Sequence, residues 1–363
     1  MHKLLAAGTI LEHELSELRL LVERQTGIVL DCPNSELAMR VADYIEAQEL
    51  GSSATLLERL RSQDQDPSCW SSLLEGVVNS TTGFYRHPGA LNALARVVIP
   101  QLCARKSVDG PSPLRIWSAG CSTGEETYSI AMAVCDSLSQ AGTVPANICT
   151  SPTNGSGGGN AKSARNGGIA EAPANGGARF APAFSLHIVG SDLLPRNIEA
   201  ADRGVYPQSA LEGLPPAIIR NYFSKIASPA VLPSLVLRED EEDGKPSRNG
   251  SSGAAQNSRN GSGQLLVKPR LRSLVTFNCM NLARPGYIGR FDIIFCMDVL
   301  PHFSRAQRTA LLERLHLYLE PGGYLFLSQT EKLASSNLNF RPETFDGYTF
   351  HRKPLAASAA YGR

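Results

Sequence analysis

Two glutamates, Glu125 and Glu126, follow closely on a run of small residues, Ala119-Gly120-Cys121-Ser122, which itself ends an apolar stretch containing Leu114, Ile116 and Trp117. A tight loop without bulky side chains lets a ligand approach the main chain, and carboxylates behind it attract cations. The spacing is not that of a phosphate-binding loop. G-x-x-x-x-G-K-[ST] is absent and no lysine follows, so triphosphate chemistry is not expected. A full G-x-G-x-x-G is missing as well, and two acids just after the glycine would repel a pyrophosphate. A ligand carrying an ammonium, a ribose and a sulfonium suits them, and S-adenosylmethionine carries all three. The competing reading of this stretch is an ordinary strand-to-helix turn with surface glutamates.

Two further stretches have the residue types for ligand contact. Asn79-Ser80-Thr81-Thr82-Gly83-Phe84-Tyr85-Arg86-His87-Pro88 sets an aromatic pair and an arginine after a cluster of hydroxyls. It suits a ligand-facing loop, or a helix end stopped at Gly83 with Arg86 in solvent. Asp192 stands just past a second apolar run, 184–190, where it would meet the ribose hydroxyls of an adenosine or cap a helix over 195–201. The usual interval from the glycine loop to such an acid is about 20 residues, and setting aside 142–182 brings this chain near it.

Elements to position these residues can be read from periodicity. A strand from Leu114 leads to a helix over 125–140, with Ser122 or Thr123 as its cap, because each has a glutamate three positions on in a capping-box register. Further strands are expected at 274–277, 292–296 and 323–327, the last introduced by a turn over 320–323. Helices such as 305–319 alternate with them, which predicts an α/β fold with a mostly parallel, doubly wound sheet. Ligands sit at the carboxyl ends of such strands, so 278–282 and 297–303 would wall the crevice. Residues 1–90 read as helical. Leu11, Leu15, Leu18 and Val22 form one apolar face, with further helices at 37–50, 55–61 and 70–78 and another at 91–102. The tracts 142–182 and 239–263, rich in Gly, Asn and Ser, are expected to be disordered insertions.

Composition narrows the class. Across 363 residues, 35 basic and 34 acidic side chains leave a net charge of +1, which argues against a general nucleic-acid footprint. The eight cysteines include no C-x-x-C pair, so neither a metal site nor a disulfide framework is expected. The amino terminus lacks the apolar run of a signal peptide, and no stretch reaches the roughly 18 apolar residues of a membrane span. A cytoplasmic protein is expected.

Together these segments resemble the CheR family of chemotaxis receptor methyltransferases. The resemblance is carried in order by TTGFYRHP, WSAGCSTGEETYSIAM, SDLLPRNIEAADRGVYP, FNCMNLARP, FDIIFCMDVLPHF and LEPGGYLFLSQTEKL, within 79–333. It implies a Rossmann-like class I S-adenosylmethionine-dependent methyltransferase domain over 91–350 and a small all-α domain over 1–90. A small β subdomain would be inserted at 224–273, and a tail would follow at 351–363. The implied reaction moves a methyl group from S-adenosylmethionine to a chemoreceptor glutamate, giving a γ-methyl ester and S-adenosylhomocysteine. The implied partners are cytoplasmic domains of chemoreceptors, with the chain a monomer.

By motif, Arg86 and His302 would stand at the reacting end. Ser80, Thr82, Arg86 and Gly120 would line the cofactor, Glu126 would contact its methionine or adenosine moiety, and Asp192 would take the ribose. Asn281, Leu282, Asp298 and Val299 would frame the adenine side. The chain departs from the family's R-N-V-L-I-Y-F, having Met297-Asp298-Val299-Leu300-Pro301-His302-Phe303, so an amide becomes an acid and a tyrosine an imidazole. Tyr85 replaces a second phenylalanine, and Ser80 an Asn or Glu. A cofactor-binding module without catalysis, or a methyltransferase with another acceptor, stays open on these departures.

Overall fold

The computed structural model describes residues 10–62, 67–78, 82–109, 113–141, 185–226, 263–286, 289–333 and 338–355. The expected insertions, 142–182 and 239–262 of the second tract, lie outside the described residues, as does Ser80. The chain divides into two compact units, Met1–Gly204 with Pro269–Arg363, and Val205–Lys268.

The first unit opens with helices α1 (Glu12–Thr26), α2 (Asn34–Ala47), α3 (Ser53–Arg61) and α4 (Pro67–Val77). Leu15, Leu18 and Val22 of α1 are buried, at spacings that keep them on one face. Leu11, expected on that face, is instead the residue before the helix and is exposed. The helix expected over 91–102 is longer and interrupted: α5 (Pro88–Ala93), a π-helical turn (Leu94–Val98), then α6 (Ile99–Asp109). The Ser137 hydroxyl donates to the Ala95 carbonyl at 2.6 Å, competing for an acceptor that a regular helix would use internally.

The sheet elements follow as β1 (Leu114–Ala119), α7 (Glu125–Gln140), β2 (Leu186–Asp192) and α8 (Pro195–Arg203). In the second unit lie β3 (Val205–Pro207), α9 (Pro216–Tyr222), β4 (Phe223–Lys225) and β5 (Gln264–Val267), whose strands form a separate antiparallel sheet in the order β3-β5-β4. The expected span 224–273 omits β3 and α9, because a three-residue strand ending in proline leaves no periodic signal. The first unit resumes with α10 (Pro269–Arg272), β6 (Val275–Cys279), β7 (Phe291–Phe295), α11 (Arg305–Tyr318), β8 (Leu319–Phe326), β9 (Arg341–Phe345) and β10 (Tyr348–Arg352). The turn expected over 320–323 is absorbed into β8, which pairs with β7 through an irregular register and passes Gly322 at φ 75°.

These strands form one seven-stranded sheet in the order β6-β2-β1-β7-β8-β10-β9, parallel from β6 to β8 and antiparallel at β10. The Rossmann-like class I methyltransferase fold is borne out by this topology. Strand order reverses at β1, which lies between β2 and β7, and that switch point opens a crevice past the carboxyl ends of the strands. Ile116 and Trp117 anchor β1 in the core, where the Trp117 indole donates to Ser191 Oγ at 2.9 Å and its ring lies 5.5 Å from that of Phe291. No helix among the described residues is long and apolar enough to cross a membrane.

Candidate functional site

A cavity of about 370 Å³ opens at this switch point. Its walls come from the loop after β1, the carboxyl ends of β2, β6 and β7, the 82–91 segment, and Thr26, Ile28 and Val78 of the helical region. The helical region is joined by main chain to the segment between β7 and α11, with Ile28 bridging Phe303 and Val29 N donating to His302 O at 2.8 Å. Among the described residues five non-glycine positions have positive φ, and Tyr85, Ser122 and Asp298 of these line the cavity. Each has its N–H held by a side chain from elsewhere: Tyr85 by Ser129 Oγ (3.0 Å), Ser122 by Asp192 Oδ2 (2.9 Å) and Asp298 by Glu331 Oε2 (3.1 Å). Left-handed backbone costs a non-glycine residue about 1–2 kcal/mol and persists only where the surroundings enforce it.

Gly120 turns the chain at φ 82°, and both Gly120 N and Cys121 N donate to Ser191 O. A β-carbon there would come 2.5 Å from Val299 Cγ2, so the absent side chain is what lets Val299 pack against this loop in the cavity wall. The expected capping box does not form. Gly124, at φ 96°, is the residue before α7, while Ser122 is turned back towards Asp192 and Thr123 Oγ1 donates to Glu125 Oε2 at 2.7 Å. The two glutamates therefore part company. Glu125 is buried against the start of its own helix, where Thr82 also hydrogen-bonds it, whereas Glu126 lines the cavity and accepts from Ser118 Oγ at 2.7 Å. Burial, reinforced by the charges of Asp298 and Glu331, pushes the Glu126 carboxyl up to about 7, with Ser118 and Arg86 opposing.

Asp192 does not cap α8, whose N-cap residue is Leu194. It is buried at the cavity wall, and its two oxygens take Ser122 N, Leu194 N and Asn197 Nδ2. It thereby fixes both the glycine loop and the start of α8. Asn281 and Leu282 line the cavity just past β6, whose Cys279 pairs with Asp192. The Asn281 amide donates to Gln25 O and accepts from Ala283 N, and Leu282 O accepts from Arg314. Thr82, Asp298, Val299 and His302 are in the same wall, so every candidate residue that can be placed faces one cavity.

At the rim, Arg86 and His87 converge on one atom, Asp298 Oδ2, at 3.2 Å and 3.0 Å. Arg86 keeps 43% of its side chain exposed. His302 is exposed nearby. Sequence reasoning gave no role to His87 or Glu331, although both stand in the quoted motifs, and none to Thr26 and Ile28, whose wall position depends on how the helical region packs.

A family model described as the S-adenosylmethionine-binding domain of CheR methyltransferases matches residues 80–163 and 254–348. The chain belongs to the CheR family. It is 27% identical over 319 residues to a chemotaxis protein methyltransferase 1 of Pseudomonas aeruginosa, covering 87% of this chain and 88% of that one. It is 26% identical over 323 residues to a chemotaxis protein methyltransferase of Pseudomonas putida, covering 88% and 90%. A chemotaxis protein methyltransferase of Vibrio parahaemolyticus is 25% identical over 333 residues, covering 91% and 92%. The cofactor of this CheR chain is S-adenosylmethionine. The residues present are compatible with it: the cavity is lined by the main-chain turn at Gly120 and by the carboxyl groups of Glu126, Asp192 and Asp298.

A pH dependence follows from Glu126. Its folded-state value lies above the ordinary 4.5, so ionising it costs the ligand-free fold stability as pH rises towards about 7. A bound ammonium favours the carboxylate and lowers that value. Binding of S-adenosylhomocysteine is therefore expected to tighten between about pH 6 and about pH 8, and Glu126→Gln to flatten the rise. Calorimetry at the two pH values checks this; equal wild-type affinities at both would contradict it.

Proposed function

We propose that this chain methylates glutamate side chains of chemoreceptor cytoplasmic domains, forming γ-methyl esters in chemotactic adaptation. The observation that carries the reading is Arg86, the one arginine or lysine among the residues lining the cavity, half-exposed where an incoming anion would arrive. The relatives named as chemotaxis protein methyltransferases support it. The cofactor supplies a methyl group on a sulfonium, and its transfer to a carboxylate oxygen makes the ester while the S–C electron pair stays on sulfur.

The rest falls to the chain's own residues. A glutamate carboxylate, with an ordinary value of about 4.3, is already ionised near neutral pH, so no strong base is needed. Arg86 orients that anion and His302 shields it at the rim, which is catalysis by positioning in a water-poor cleft. Gly120 gives the donor main-chain contact, Glu126 meets its cationic end and Asp192 its ribose. Thr82, Asn281, Leu282, Asp298 and Val299 shape the remaining walls. The chain works as a monomer in the cytoplasm.

The Asp298–Arg86 pair favours a second reading, in which the guanidinium is already answered and the chain binds the cofactor without turnover. Incubation with labelled methyl donor and a panel of receptor cytoplasmic fragments separates the two. The first reading expects label that mild alkali releases as methanol; cofactor binding with no label on any fragment supports the second.

A further inference from the structure

Glu331 is not among the residues lining the cavity, yet it accepts three main-chain N–H groups, one of them from the lining residue Asp298. Oε2 takes Ser328 N at 2.8 Å and Asp298 N at 3.1 Å, and Oε1 takes Leu300 N at 2.8 Å. The first amide follows β8 and the other two follow β7, so one carboxylate ties together two neighbouring strand ends just where their ladder stops. One anchor point is Asp298 itself, at φ 57°, and between it and Leu300 stands Val299, whose side chain packs beside Gly120.

We infer that Glu331 is a positioning residue for the cofactor site, a clamp that holds Asp298 in its left-handed conformation and Val299 in the cavity wall. The inference rests on the cofactor occupying this cavity and is independent of the acceptor. A carboxylate is the group this place requires, because it offers two oxygens and no hydrogen to three converging donors. Glutamine has the same shape but replaces one acceptor by an NH2 group that faces an N–H. Asp192, which holds Ser122, likewise gathers three donors, two of them main-chain amides, and Ser129 Oγ accepts from Tyr85 N; all three of Glu331's donors are main-chain amides. Asp298 has a second restraint in Arg86 and His87, which fix its carboxylate, so the clamp also sets where Arg86 points.

The test is Glu331→Gln in the full chain, read by calorimetry with S-adenosylhomocysteine and by hydrogen exchange at the Asp298 and Leu300 amides. The expected result is at least about tenfold weaker binding and faster exchange at both amides, the loss of a charge-assisted clamp. Thr330→Val, which removes a 3.0 Å hydrogen bond between Thr330 Oγ1 and Ser328 Oγ just past β8, controls for general loosening of that strand end and is expected to bind as wild type. In a Val299→Ala background the Glu331→Gln effect is expected to shrink, because the two act through one wall. Wild-type affinity in Glu331→Gln, or full additivity with Val299→Ala, overturns the assignment. A wild-type chain that gives no binding heat overturns the cofactor reading along with it.

Discussion

Arg86→Ala is expected to lower methyl transfer by about 100- to 1,000-fold, the loss typical when one charge-stabilising donor is removed from a site, while leaving S-adenosylhomocysteine binding little changed. The asymmetry follows from where the guanidinium sits. It is at the cavity rim, 43% exposed and 3.2 Å from Asp298, and its removal leaves Asp298 with His87 at 3.0 Å and its main chain with Glu331. The cofactor walls at Gly120, Glu126 and Asp192 keep their own hydrogen bonds. An anionic acceptor, in contrast, loses its cation, and a misplaced carboxylate forfeits the advantage of alignment. Lysine is not expected to restore the rate, since a point charge lacks the planar fork that grips a carboxylate. Transfer assays beside calorimetry on the same preparations decide the matter, and equal losses in the two would remove Arg86 from the reacting end.

Gly120→Ala is the second large effect, and it reverses the pattern by striking binding first. The residue sits at φ 82°, where a β-carbon costs about 1–2 kcal/mol on its own. That β-carbon would also lie 2.5 Å from Val299 Cγ2, closer than any real contact, so the wall or the loop must move. The loop is held by two hydrogen bonds from Gly120 N and Cys121 N to Ser191 O, and Val299 is held through Asp298 and Leu300, so neither yields freely. Cofactor affinity is expected to fall by about 100-fold, a change of near 3 kcal/mol. Adding Val299→Ala should recover part of it by relieving the contact, but not the backbone cost. Undiminished affinity in Gly120→Ala would mean that the cofactor does not approach this loop.

What the sequence made legible was whatever local pattern encodes. The apolar run at Leu114, Ile116 and Trp117, the small residues after it and the acid Asp192 at the end of the next strand placed the crevice at the switch point, because strands and small-residue loops leave their mark in consecutive residues. Ser122 and Thr123 misled as helix caps for a physical reason: Gly124 takes a left-handed conformation and Ser122 is pulled towards Asp192, 70 residues on. His87 and Glu331 carry no periodic signal, since their importance lies in partners 211 and 31 to 33 residues away. The wall at Thr26 and Ile28 depends on tertiary packing that no local window contains.

The central claim, that this cavity delivers a methyl group to a receptor carboxylate, is tested most directly by mapping where the methyl goes. The chain is incubated with isotopically labelled S-adenosylmethionine and receptor cytoplasmic fragments, which are then digested and sequenced by tandem mass spectrometry. The account predicts label on glutamate side chains. Label on another residue type, or none on any fragment despite measured S-adenosylhomocysteine binding, would contradict it.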